Sequence, residues 1–280
     1  MKILLGDNQF FGINHYDLQK GNLTKQKFSN KEDIHDFIKQ TQSMGLDGFM
    51  INSNQLGYEI VKDYQLEINK EIHYSIPYPH KYASLVNEKG MLYLLKYFLL
   101  NTSFLNLIVT LPKFLFTRDV KHIISLTTSL EVPKSLPKGS TVYIQNVITD
   151  MIIGMKRFDI LEAFAKEVRK RGYKPGLITL NPIKLDELVR ESALMNKNDL
   201  TICFNINHAG FNVFPNKRLV ENFIKVNHNY NLMGMSIFSS GGANINEAIS
   251  YIKSLNLEYV VFGSSNLKNI ENNFKSLKKS

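Results

Sequence analysis

One cysteine in 280 residues, Cys203, leaves no partner for an internal disulfide and no thiolate cluster for a metal. It sits in the apolar-flanked run 201–205, where a free thiol behaves as a small buried hydrophobe. Metal-ligand spacing is also missing: there is no HExxH arrangement, and His73 and His80 are too far apart for one helical face, so no metal is expected. Nor is there the run of about 20 predominantly apolar residues that a membrane span requires. The densest stretch, residues 91–116, is interrupted by Lys96, Asn101, Ser103, Asn106 and Lys113, so no transmembrane segment is expected. The opening Met-Lys-Ile-Leu-Leu-Gly enters a strand-like segment without the apolar stretch and cleavage site of a secretory signal, which reads as cytoplasmic. Acidic residues are the scarcer charge, 25 against 34 basic, for a net charge of +9. The basic residues are spread out, apart from 166–171 and a Lys-rich C-terminus, which read as helix ends stabilised by the helix dipole. That excludes a nucleic-acid patch and leaves a field that attracts anionic metabolites.

What is present is periodic. Short β-rich segments alternate with helical stretches, the sign of a parallel sheet built from βα units. Eight strands are predicted, over residues 3–5, 48–51, 72–76, 142–145, 176–180, 201–206, 233–237 and 259–262. Eight such units in a chain 44% hydrophobic predict one (β/α)8 TIM barrel over residues 1–280. Helical spacing appears in Ile34, Phe37, Ile38 and Thr41, preceded by a capping-box pattern of Ser29 and Glu32. It recurs in Ile160, Leu161, Phe164 and Val168, and in Ile245, Ala248, Ile249 and Ile252. Between strands 3 and 4, residues 82–116 form an apolar insertion, expected to be helical and to pack over the barrel as a lid. Alternatively, 91–116 is a contact for a homo-oligomer or another partner, or for a membrane surface.

In such a barrel the chemistry belongs to the C-terminal strand ends, where the loops converge. Those ends carry Asp7 and Asn8; Asn52 and Asn54; Tyr78, His80 and Lys81; Gln145, Asn146 and Asp150; Asn181; and Asn205, Asn207 and His208. Amides both donate and accept, which suits a hydroxyl-rich, sugar-like ligand, but they do not titrate. The acid/base candidates are therefore Asp7, His80, Lys81, Asp150 and His208, with Tyr58 and Tyr78 as phenols. After strands 7 and 8 come Ser239, Ser240 and Gly241, then Gly263, Ser264, Ser265 and Asn266, each group followed by a helix. Hydroxyls and helix N-terminal amides there are expected to hold a phosphate.

With these segments in place, the chain resembles the aldo/keto reductases over most of its length outside the insertion. The resemblance rests on 4–7 through Gly12, on 45–52, on Tyr143-Ile144-Gln145-Asn146 with Asp150, and most closely on 235–241 and 260–266 running on to Asn273. It implies a barrel and NADP-dependent carbonyl reduction by an Asp, Tyr, Lys and His set. Here the Asp position falls at or beside Asn52, the His position is closest to Asn146, and the Arg of the last loop appears as Asn269. Tyr58 and Lys81 stand near the Tyr and Lys positions. Without its ionisable partners, the set lacks the tuned proton donor that carbonyl reduction requires. The expectation is a non-redox lyase, isomerase or epimerase acting on a phosphorylated or nucleotide-linked carbohydrate, with no cofactor required and NADP possible. The alternatives are an NADP-dependent oxidoreductase with a rearranged set and a non-catalytic ligand-binding barrel.

Overall fold

The computed structural model describes residues 1–11, 23–24, 26–28, 30–63, 70–77, 89, 121–195, 197–242 and 244–279. Eight parallel strands pair in sequence order and close into a barrel: β1 (Lys2–Gly6), β2 (Gly48–Asn52), β3 (Glu71–Ile76), β4 (Thr141–Ile144), β5 (Lys174–Thr179), β6 (Thr201–Asn205), β7 (Asn231–Met235) and β8 (Tyr259–Phe262). All eight predicted strands are there, with ends shifted by a residue or two. β4 stops at Ile144 because Gln145 takes the N-cap position of the next helix. β7 stops at Met235 because Ser236 turns to a φ of 58°.

Each strand is buried on both faces, which is why these segments read as continuous apolar runs. Side chains alternate along a strand, so one set faces the barrel axis and the other faces the helices. Leu4, Tyr143, Ile178, Cys203, Met233 and Val261 pack together inside, while Ile3, Leu5, Phe49, Ile51, Ile72 and Val142 join the larger outer core. The buried thiol is pushed well above its ordinary pKa by desolvation, so it behaves as core. Room for the inward Tyr143 comes from Gly176 beside it on β5, where a Cβ would stand 2.4 Å from the ring.

The outer ring comprises, among the described residues, α1 (Lys31–Ser43), α2 (Gln55–Asp63), α3 (Lys121–Glu131), α4 (Asn146–Gly154), α5 (Phe158–Lys170), α6 (Pro182–Glu191), α7 (Lys217–Ile224), α8 (Ile245–Lys253) and α9 (Leu267–Lys278). α1 buries the predicted Ile34, Phe37, Ile38 and Thr41, and α5 buries Ile160, Leu161, Phe164 and Val168. Two local expectations are corrected. The N-cap of α1 is Asn30, with no side-chain cap bond, and Ser29 lies outside the described residues. Ile245 is 48% exposed because it starts α8, before the helix turns its apolar face inward. The insertion at 82–116 falls outside the described residues except for Lys89. Among the described residues, no helix is long and apolar enough to cross a membrane.

The N-terminal end of the barrel holds a polar chain. Lys2 bonds Glu71, Glu71 lies 3.6 Å from His73 Nε2, and His73 Nδ1 is 2.7 Å from the Tyr143 hydroxyl. Burial pushes His73 below its ordinary pKa, against the pull of Glu71, while His73 and Lys2 hold Glu71 at about 2. The seam between first and last strands is closed by the Lys2 amide, which donates to the Glu258 carbonyl at 2.7 Å, and beside it Asp47 ties β1 to α9, its Oδ2 accepting from the Ile3 amide at 2.7 Å and pairing with Lys278 at 2.9 Å.

Candidate functional site

At the other end, the last inward side chains of β2 and β3 and the residue after β4 are Asn52, Ser75 and Gln145, and they form one network with Asp7. Asp7 accepts from the Asn52 amide and from Asn52 Nδ2, both at 2.7 Å. Asn52 Oδ1 accepts from Ser75 Oγ at 2.7 Å and from Gln145 Nε2 at 2.8 Å. Strand register puts Asn52 beside Ser75, so residues of four successive βα units join one network in which Asn52 alone touches the Asp7 carboxylate. Asp7 is 3% exposed, and burial raises its pKa to about 6 against the lowering effect of the two Asn52 bonds. Ser75 is a member that sequence reasoning missed, since an isolated serine in a strand carries no signal.

The other acid/base candidates take different places. Asp150, on α4, accepts from the Thr179 hydroxyl and from the Leu180 amide, tying the end of β5 to α4. Tyr58 lies on α2 with 41% of its surface exposed, outside the Asp7 network. Tyr78, His80 and Lys81 lie outside the described residues.

Several predicted ligand residues are brought to the mouth but serve the loops. Asn8 is exposed on the turn after β1, and Asn146 is the first residue of α4, so Gln145 is the side chain presented at that strand end. Asn181 caps α6 through the Lys184 amide at 3.2 Å. Asn205 accepts from Ser236 Oγ at 2.7 Å and donates to the Asn212 carbonyl. Asn207 closes its own loop by bonding the Phe211 peptide in both directions. His208 is exposed on the rim, 3.8 Å from Glu247. Asn54 accepts from the Gly57 amide at 2.8 Å, while its Nδ2 is buried and unpaired.

The expected phosphate loops differ from the helix-cradle picture. Asn266 Oδ1 accepts from the Lys268 and Asn269 amides at 2.9 and 3.3 Å, and Asn244 does the same for α8 at the Asn246 amide. The chain's own caps thus take two of the amides at each of these helix starts. Gly241 and Gly242 spend their amides within the turn that contains Ser240, and Ser264 Oγ accepts from the Asn266 amide. What remains for an anion is hydroxyl and ammonium: Ser239 Oγ, buried and unpaired on a residue at φ 49°, and Lys27, whose Nζ donates to the Ser265 carbonyl at 2.5 Å. Lys27 was illegible in the sequence, lying 238 positions from its partner. Gly263 faces Gln9, whose Oε1 would stand 2.8 Å from a Cβ at that position.

No protein-family model matches the sequence, and no curated protein matches it. In structure, the chain is similar to two solved proteins from Pseudomonas aeruginosa, each described as a "putative aldo-keto reductase". The TM-scores are 0.57 and 0.58 at 9% and 8% sequence identity, over 98% of this chain and 88% of each of those. At that identity the likeness is one of architecture: the chain has the (β/α)8 barrel fold of these aldo/keto reductase structures.

Proposed function

We propose that the chain is an enzyme that moves a proton on a phosphorylated or nucleotide-linked carbohydrate, in a lyase, isomerase or epimerase reaction. The observation that carries this reading is Asp7, a buried carboxyl with a pKa of about 6, held by an amide network at the barrel mouth. A carboxylate near neutrality is poised both to take and to return a proton. Asp7 takes the proton from a carbon next to a carbonyl, and the electron pair of that C–H bond moves into the enolate. Return of the proton to the neighbouring carbon isomerises, return to the opposite face epimerises, and loss of a β-substituent eliminates. Nothing is oxidised overall. Lys27 and the Ser239, Ser264 and Ser265 hydroxyls supply a polar, cationic edge for the anionic group.

What weighs for this reading over a nicotinamide-dependent reduction is that the ends of β2, β3 and β4 present Asn52, Ser75 and Gln145, side chains that do not titrate in the ordinary range. The competing reading, an NADP-dependent reductase, is favoured by the fold likeness. Two measurements separate the readings. Phosphorylated and nucleotide-linked sugars incubated with the enzyme in D2O are expected to gain deuterium next to the carbonyl by NMR, and Asp7→Asn to abolish the exchange. Saturable micromolar NADPH binding, with no exchange in any of these sugars, overturns the proposal.

A further inference from the structure

Two buried polar atoms at the mouth, Gln9 Oε1 and Asn54 Nδ2, have no hydrogen-bond partner among the described residues, although their residues are only 6% and 8% exposed. Unpaired buried groups are rare in folded proteins and call for a partner. The polarity of each is fixed by the other half of its amide. Gln9 Nε2 donates to the Gly6 carbonyl at 2.6 Å, so a flip would set two oxygens against each other and Oε1 must be the free acceptor. Asn54 Oδ1 accepts from the Gly57 amide, so Nδ2 must be the free donor. Both belong to the loops that make the Asp7 contact: Gln9 is two residues beyond Asp7, and Asn54 is two beyond Asn52, which donates to Asp7 twice.

We infer that Gln9 and Asn54 read the substrate on this mouth, Gln9 accepting from a hydroxyl and Asn54 donating to the adjacent carbonyl oxygen, so that the substrate class is an α-hydroxycarbonyl compound. The inference rests on the proton-transfer reading and narrows it to ketose- or aldose-like units. A free acceptor at Gln9 repels an anionic oxygen, so the group it takes is a neutral hydroxyl.

The test is calorimetric titration with two probes, dihydroxyacetone phosphate and hydroxyacetone phosphate, which share the ketone and phosphate but differ in the hydroxyl. Wild type is expected to prefer the first by at least about tenfold, because a site built for a hydroxyl rejects the analogue without one. Gln9→Met removes that preference while keeping the affinity for hydroxyacetone phosphate. Asn54→Ala weakens both probes by a similar factor, since both carry the ketone. Gly263→Ala places a Cβ 2.8 Å from Oε1, crowds it, and reproduces the Gln9→Met result should that variant fail to fold. Equal affinities in wild type, no binding of either probe, or a preference that survives Gln9→Met and Gly263→Ala each overturns the inference. The two readings fail separately. Proton exchange that persists in Asp7→Asn removes the proton-transfer reading but not a measured hydroxyl preference, and exchange lost in that variant without a preference removes only the Gln9 and Asn54 assignment.

Discussion

Replacing Asp7 by Asn takes away the charge buried in the amide network and keeps the shape. A carboxyl whose pKa rises from an ordinary 3.8 to about 6 on folding holds its proton more tightly folded than unfolded. Its ionisation therefore opposes folding: the penalty is absent below pH 3.8, grows as pH rises, and is complete above about 6. At about 1.36 kcal/mol per pH unit, the penalty reaches roughly 3 kcal/mol. Asparagine has no charge to bury, but it presents one acceptor where Asp7 presents two to Asn52, an offset of about 1–3 kcal/mol that does not vary with pH. Urea unfolding followed by far-UV circular dichroism is thus expected to find Asp7→Asn less stable than wild type near pH ~4 and to gain about 3 kcal/mol on it by pH ~7.5. A stability difference that stays constant across that range refutes the burial argument for Asp7, and with it the case for a tuned base.

Three further outcomes are expected. His73, depressed by burial, stays neutral when folded, so wild type loses stability as pH falls below 6.5, and His73→Gln flattens that slope; imidazole NMR shifts should show His73 unprotonated where an exposed histidine is already charged. Gly176→Ala drives a Cβ to 2.4 Å from the Tyr143 ring and should cost about 1–3 kcal/mol in thermal unfolding, part of it recovered by adding Tyr143→Leu. Gly57→Ala places a Cβ 1.9 Å from the Asn52 carbonyl, so the end of β2 must shift under Asp7; proton exchange is expected to fall by about 10²-fold, far more than any loss of folded protein accounts for.

The eight strands were legible because each is covered on both faces and is forced into an apolar run, and α1 and α5 because one face meets the barrel. Site residues were legible only by address. Asp7, Asn52 and Gln145 could be located at strand ends, but their union around one carboxylate depends on register, which Ser75 completes without any local mark. Asp150 and Asn181 look the same in sequence as Asp7 and Asn52, yet they serve the backbone, because Asp and Asn bond neighbouring peptides as readily as they bond ligands. The caps at Asn244 and Asn266 belong to the same ambiguity: the composition that suggests an anion cradle also suggests a self-capped helix. Gln9 stood at a strand end, but its Oε1, without a partner among the described residues, carries no mark in the sequence.

The seam between first and last strands also bears on how the chain is made. β1 pairs with β2 early in synthesis, but its other neighbour, β8, and Lys278 of α9 emerge only after nearly all the intervening chain. At roughly 5–20 residues per second, one edge of β1 waits on the order of tens of seconds on the ribosome with its peptide groups unpaired. An open edge of that kind recruits other strands, and a lysine on it discourages them. Lys2, the β1 residue that pairs with Tyr259 of β8, places such a charge on that edge.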